Sequence, residues 1–353
     1  MDPTRRVRLG RTSVEVSQLG LGTNPLGGMY EPVSPETAAA VVDRAYDAGI
    51  RFFDTAPVYG YGNAERNVGA ALARHPRDDY VLTTKVGRLL LTDGPAERED
   101  VMVLWEGEQL YKGTEDVRPY FDFSYDGAMR SVEDSLRRAG TDRFDLLHIH
   151  DPDLYPEEAL DGAFKALDKL RSEGTIGGIG AGSNQWEVLA TLARRADFDC
   201  FLLAGRYTLL DQTGLDELLP LCVERDVAII AGGVYNSGIL SHPDPGSIAG
   251  VRSDSAAIGS WTANVTYNYV PAEGEVIARA GRIKEICDSH GVPLMAAAIQ
   301  FPMHHPAVPV VLMGPRTPEQ VDGNIEVFSF AIPDALWSDL KSAGILRPDA
   351  PTP

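Results

Sequence analysis

Short β-branched or Leu-rich runs, each followed by a stretch rich in Ala, Leu and charge with helical spacing, recur eight times along this chain. The apolar runs are QLGLGT (18–23), IRFFDT (50–55), YVLTTK (80–85), FDLLHIH (144–150), IGGIGAG (176–182), CFLLAG (200–205), VAIIAG (227–232) and VPVVLMG (308–314). Helices are expected between them: Pro35 to Ala48 with Ser34 at its cap, Asp211 to Glu224, and Glu273 to His290. Strand–turn–helix units in series close a parallel sheet with helices outside it, so the pattern predicts an α/β chain folded as a (β/α)8 TIM barrel. The opening RLGRTSVEVS reads as a small hairpin turning at Gly10 to Ser13, placed to plug the lower end of the barrel. No linker or low-complexity stretch interrupts the rhythm, and a single domain over residues 1–353 is expected.

Two connections are far longer than the usual βα loop of about 2–6 residues. One runs from Val86 to about Tyr125 with Trp105, Tyr111, Tyr120, Phe121 and Phe123, the other from Gly233 to Pro271 with Tyr235, Trp261, Tyr267 and Tyr269. Aromatic insertions on a barrel's carboxyl-terminal face form lids and pocket walls more often than they merely cover helix ends, so both are expected to line a substrate pocket, with Trp105 and Trp261 contacting substrate.

Composition narrows the partners. A net charge of −19 repels nucleic acid phosphates and anionic membrane surfaces, leaving a small-molecule substrate, for a monomer or a homo-oligomer. Cys200, Cys222 and Cys287 are widely spaced and in no CxxC or HxxxH arrangement, so they read as buried packing, with neither disulfide framework nor metal site. No segment has the apolar length of a signal peptide or membrane span, and a cytoplasmic protein is expected.

Four polar residues stand at or just past strand ends: Asp54, Tyr59, Lys85 and His150. Taken singly, Asp54 and Lys85 could be an internal ion pair and Tyr59 a loop aromatic; together, on one barrel mouth, they point to chemistry. A phenol ordinarily loses its proton at about pH 10, and a neighbouring ammonium favours the phenolate, so Lys85, held by Asp54, would fit Tyr59 for proton exchange while His150 orients a substrate oxygen. His148 shares the strand face of His150 one layer deeper and reads as a hydrogen-bonded interior histidine, and His304 and His305 read as loop residues. Asn63 is expected to cap the helix after Tyr59.

Asp54, Ala56, Tyr59, Gly60 and Glu65 in FFDTAPVYGYGNAE, with TTKVG, DLLHIHDPD, GAGSNQ and GPRTPEQVDGN, resemble the aldo-keto reductase superfamily over nearly the whole chain. The resemblance implies a nicotinamide cofactor across the barrel mouth, its amide end near Ser183 and Asn184, and Gly22, Thr23, Gly314, Arg316, Gln320 and Asn324 completing the site. No GxGxxG follows the first strand, so a Rossmann-type site has no support. With Gly314 and Gln320 where relatives that prefer NADP carry Lys and Arg, only Arg316 remains to meet a 2′-phosphate. NAD is the expected cofactor and use of NADP the alternative, while the bland reading of Arg316 is an ion pair with Glu319. Ala204 and Gly232 stand where many members carry Gln and a stacking aromatic, and Tyr235 is the expected replacement ring. LAGRYTLLDQ, AGGVYNSGIL and HGVPLMAAAIQFPMHHPAV resemble the branch of aldose 1-dehydrogenases (fucose, galactose, arabinose) and pyridoxal 4-dehydrogenase, which implies oxidation of a cyclic hemiacetal to a lactone. The alternatives are an NADPH-dependent aldehyde or ketone reductase of the same superfamily, a Schiff-base barrel enzyme with Lys85 as nucleophile, and a non-catalytic cofactor-binding regulatory subunit.

Overall fold

The structure is a computed structural model that describes residues 1–103, 107–242, 245, 266–268 and 270–353. Strands β1 (Arg6–Arg8) and β2 (Glu15–Ser17) form the antiparallel hairpin. The chain then builds β3 (Leu19–Gly22), β4 (Phe52–Asp54), β5 (Val81–Val86), the antiparallel pair β6 (Arg88–Leu91) and β7 (Arg118–Phe121), β8 (Leu146–His150), β9 (Gly178–Ser183), β10 (Cys200–Ala204), β11 (Ala228–Gly232), the short pair β12 (Thr266–Tyr267) and β13 (Val270–Pro271), and β14 (Val310–Met313). The eight strands β3, β4, β5, β8, β9, β10, β11 and β14 pair in that order and close, all parallel, into a barrel. Each of the eight apolar runs coincides with one of them, β5 and β9 extending one residue past theirs.

Period two sorts the strand residues. Phe52, Val81, Leu146, Cys200, Ala228, Ile230, Val310 and Leu312 cluster inside the barrel with Leu9 and Val16 of the hairpin, which are fully buried and plug its lower end as expected. Burying each plug side chain contributes about 1.5–3 kcal/mol. Their neighbours Phe53, Leu82, Leu147, Phe201, Ile229 and Val311 face outward, into the larger core shared with the helices. By the same alternation Asp54, Lys85 and His150, two or four residues beyond Phe52, Val81 and Leu146, point inward at the upper rim.

Helix starts follow local chemistry. In the helix Pro35–Asp47, the Ser34 hydroxyl accepts from the Thr37 N–H at 3.2 Å, and Ala38, Val41, Val42 and Ala45 form the buried face. Two helix expectations are corrected. The helix after Tyr59 is Asn63–Leu72, but its cap is Gly62, at φ 92, where only glycine is unstrained; Asn63 is the first helical residue and donates to the Gly113 carbonyl at 3.0 Å. The helix expected from Asp211 begins only at Leu218, because Thr208 Oγ1 accepts from the Leu210 and Asp211 N–H groups at 3.2 and 3.1 Å and Asp211 Oδ1 from the Thr213 N–H at 2.9 Å. Those bonds offer the backbone a turn in place of a helix. His304 ends a short 3-10 helix, Phe301–His304, with its ring edge-on to Trp337, and so is not a loop residue, whereas His305 lies in the connection after that helix, as expected, and is buried there.

Candidate active site

Asp54 and Lys85 meet at the upper rim, where Lys85 Nζ donates to Asp54 Oδ2 at 2.6 Å and to the Thr55 carbonyl at 2.8 Å. Asp54 Oδ1 accepts from Thr83 Oγ1 at 2.8 Å. Both members of the ion pair are almost wholly buried, at 2% and 1% exposure, so the pair stands on its geometry and on these added hydrogen bonds rather than on Coulomb attraction alone. Tyr59 lies in the turn after β4, where Gly60, at φ 63, lets the backbone pass so close to Gly27 that a Cβ would sit 1.9 Å from the Gly27 carbonyl oxygen. This close approach holds the ring over the mouth. Lys85 Nζ is 4.8 Å from the centre of the Tyr59 ring, and the His150 ring stands edge-on to it at 5.7 Å. The structure therefore brings all four expected residues together.

His150 is buried, and burial, reinforced by Arg88, Lys85 and His148, holds its imidazole well below the ordinary histidine range and so neutral. His148 departs from expectation. It is fully buried one layer down, facing Gly180, where a Cβ would come within 2.1 Å of its Nδ1, but among the described residues neither ring nitrogen has a hydrogen-bond partner. Burial, opposed by Asp54 and aided by Lys85, pushes it down to about 4.

Two cavities share Tyr59. The smaller, about 290 Å³, holds Lys85, His150, Asp151, Ser183 and Asn24 and is walled by residues 100–103, Leu110 and Tyr111 of the first long connection. The larger, about 510 Å³, runs from Gly22 and Thr23 past Asn184, Ala204 and Gly232 to Tyr235, Gly314, Arg316 and Gln320. Asn24, Asn184, Leu202 and Ala204 line both, so the two form one continuous groove with Tyr59 at the junction. Of the residues expected around a cofactor, Gly22, Thr23, Asn184, Gly314, Arg316 and Gln320 line the large groove, Ser183 lines the small one, and Asn324 stands behind the groove, accepting from the Tyr235 hydroxyl at 2.8 Å. Tyr235 lines the same groove.

Several loop expectations change. Trp105, Trp261 and Tyr269 lie outside the described residues. Of the first connection's other aromatics only Tyr111 lines the small cavity, its hydroxyl donating to Asn24 Oδ1 at 2.6 Å. Phe121 and Phe123 stack on each other and pack tilted against Tyr155 instead, because Gly87 leaves room for the Phe123 ring. The described part of the second connection lines the large groove and not the small one. Arg316 does not pair with Glu319; its guanidinium donates to the Met29 and Glu31 carbonyls at 2.8 and 3.0 Å. Glu65 is wholly buried and ties its helix to β5 by accepting from Thr84 Oγ1 at 2.6 Å and to the helix Tyr125–Ala139 through Arg138.

Sequence reasoning passed over Arg88, Asp100 and Asp151. Arg88 is 5% exposed, and its Nε donates to Asp100 Oδ2 at 2.6 Å, Nη1 to the His150 carbonyl at 3.0 Å and Nη2 to Asp151 Oδ2 at 3.0 Å. The available signal was a cation in the apolar run VGRLLL, together with the carboxylate directly after His150.

The groove fits a nicotinamide dinucleotide: it has ligand-pocket volume, and its floor at Gly22, Ala204 and Gly232 carries little or no side chain. Among the described residues no cluster of metal-ligating side chains occurs, and no helix is long and apolar enough to cross a membrane. The family model for the aldo/keto reductase family matches residues 18–345. The chain is 41% identical to a pyridoxal 4-dehydrogenase of Microbacterium luteolum, over 96% of this chain and 97% of that protein. It is 38% identical to a D-threo-aldose 1-dehydrogenase of a Pseudomonas species, over 96% of each. The solved structure of a glycerol dehydrogenase from Gluconobacter oxydans has the same fold, with a TM-score of 0.71 and 24% identity over 99% of this chain and 97% of that one.

Proposed function

Because the chain belongs to the aldo/keto reductase family and is an oxidoreductase, we propose that it oxidises the C1 hemiacetal of a free aldose, of the L-fucose, D-arabinose or L-galactose type, or of pyridoxal, to the lactone. The observation that carries this reading is Tyr59 at the junction of the two cavities, with the Lys85 ammonium at its ring and His150 beside it. Gly22, Thr23, Asn184, Gly232 and Arg316 of the large groove would hold a nicotinamide dinucleotide, which would supply the acceptor for the hydride of the carbinol carbon.

The remaining steps belong to the chain. The substrate hydroxyl enters the small cavity, and its proton passes to the Tyr59 oxygen. Lys85 stabilises the phenolate form of that oxygen, and Asp54 with the Thr55 carbonyl keeps the ammonium from swinging away. His150, neutral, holds the reacting oxygen without placing a second cation beside it. NAD is favoured over NADP because Gly314 and Gln320 leave Arg316 as the sole basic side chain between residues 314 and 324 to meet a 2′-phosphate, and two of its donors already hold the Met29 and Glu31 carbonyls. The small cavity mixes apolar Val101, Val103 and Leu110 with polar Asn24, Asp100 and Asp151, suiting a ring with one apolar face and several hydroxyls.

The test is initial rates with L-fucose, D-arabinose, L-galactose and pyridoxal, each with NAD and NADP, read from reduced-cofactor absorbance. Turnover of at least one, faster with NAD, is expected. No turnover of any member overturns the substrate class, and a faster NADPH-linked reduction of simple aldehydes overturns the direction.

A further inference from the structure

Both carboxylates pinned by Arg88 line the small cavity, and Asp151 Oδ2 also stands 3.5 Å from His150 Nε2. Arg88 reaches them because β5 ends at Val86 and Gly87, at φ 107, turns the chain so that Arg88 opens β6 with its guanidinium 4.6 Å from the Phe121 ring centre. Its fork then fixes three things at once: Asp100 on the long connection, Asp151 beyond β8, and the His150 carbonyl between them and Tyr59. Asp151 itself adopts φ 45, a conformation that few residues other than glycine hold without support. In each carboxylate only Oδ2 is used, and among the described residues Oδ1 of Asp100 and of Asp151 accepts no hydrogen bond.

The charges do not balance. One guanidinium faces two carboxylates, the Lys85 ammonium is matched by Asp54, and Asp153, which accepts from Ser183 Oγ at 2.7 Å, adds further negative charge behind Asp151. A purely structural bridge needs one acid; a second, half-desolvated beside a cavity, is costly unless a ligand supplies donors. Hydroxyl groups supply them through charge-assisted hydrogen bonds, whereas a phosphate or carboxylate brought into the same space meets like charge in a medium that screens poorly.

We propose that Asp100 and Asp151, aligned by Arg88, are specificity-determining residues that receive hydroxyl hydrogens of an uncharged, hydroxyl-rich substrate and turn away phosphorylated or carboxylated ones. This rests on the reading of the small cavity as the substrate site. Arg88 is a positioning residue: it meets the substrate only through the two acids.

The experiment compares kcat/KM, with NAD, for the fastest neutral substrate among L-fucose, D-arabinose, L-galactose and pyridoxal with that for D-arabinose 5-phosphate and D-galacturonate. The wild type should favour the neutral compound by about 100-fold or more. Asp100→Asn and Asp151→Asn, which replace an acceptor by a donor, should each shrink that preference about tenfold, through a raised KM for the neutral substrate with kcat little changed. Arg88→Lys, which keeps the charge and loses the fork, should shrink it as well. Asp100→Ala, on the rim connection and outside the barrel wall, supplies the same readout if Asp151→Asn does not fold. A wild type that turns over the neutral substrate, with the preference unchanged in the Asp100 variants, overturns this inference alone; a wild type that oxidises none of them removes the substrate-site reading and this inference with it.

Discussion

The two halves of the barrel mouth are built on opposite principles. On β4, β5 and β8 the uppermost inward residues are Asp54, Lys85 and His150, while the corresponding places on β9, β10, β11 and β3 hold Gly182, Ala204, Gly232 and Gly22. One half presents functional groups; the other presents almost no side chain at all. Proton chemistry needs side chains fixed to within a fraction of an ångström, and strand ends supply that precision. A long planar ligand lying across the mouth needs the reverse, a floor from which side chains have been removed.

That contrast can be broken most severely at Tyr59, where the halves meet. Tyr59→Phe is expected to lower kcat about 10³-fold while leaving NAD affinity, measured by fluorescence titration, within about twofold. Loss of NAD binding as well would place Tyr59 in the groove wall rather than in the proton path. Within the charged half, Asp54→Ala leaves the buried Lys85 ammonium unmatched and should cost about 3–5 kcal/mol in chemical denaturation. The double variant Asp54→Leu with Lys85→Met should recover much of that stability and none of the activity. An active double variant would show that the pair is structural.

A third effect comes from the layer beneath. His148 titrates at about 4 when folded, against an ordinary 6.5. Between those values the unfolded chain holds a proton that the folded chain does not, so stability is complete above pH 6.5 and declines as the pH falls toward 4. The decline reaches about 1.4 kcal/mol per pH unit and about 3 kcal/mol in all from this residue. Equilibrium unfolding at pH 7, 6, 5 and 4.5 should therefore be less pH-dependent in His148→Gln than in the wild type; equal slopes would mean that His148 keeps its ordinary affinity for protons. The smallest effect belongs to the bare half. At Gly232 an added Cβ would lie 3.1 Å from Leu202 Cδ2, so Gly232→Val should weaken NAD binding about tenfold by raising the groove floor, at about 1–3 kcal/mol in stability. Unchanged affinity would separate the groove from the cofactor.

The charged half was legible in the chain because strand alternation is a local rule. Once Phe52, Val81 and Leu146 are taken as interior, Asp54, Lys85 and His150 must face the same way, and the hairpin plug follows from the same reasoning. The bare half was legible only as departures, Ala204 and Gly232 standing where bulkier residues were expected. What could not be read was contact across the chain. Phe121 and Phe123 look like lid aromatics by spacing, yet they pack against Tyr155, and Arg88 gives no sign in sequence that it joins Asp100 to Asp151. Similarly, Arg316 could be paired on paper with Glu319, its neighbour in sequence, but the Met29 and Glu31 carbonyls it meets lie 287 and 285 residues away.

From residue order alone came the eightfold strand–helix rhythm, the inward face of each strand and the four groups at its rim, because each of these depends on spacing over a few residues. The folded chain alone decided which side chains of the long connections reach the cavities, that His148 is buried without a hydrogen-bond partner among the described residues, and that one guanidinium holds two acids. Those outcomes depend on distances between segments far apart in sequence, which are set only when the barrel closes.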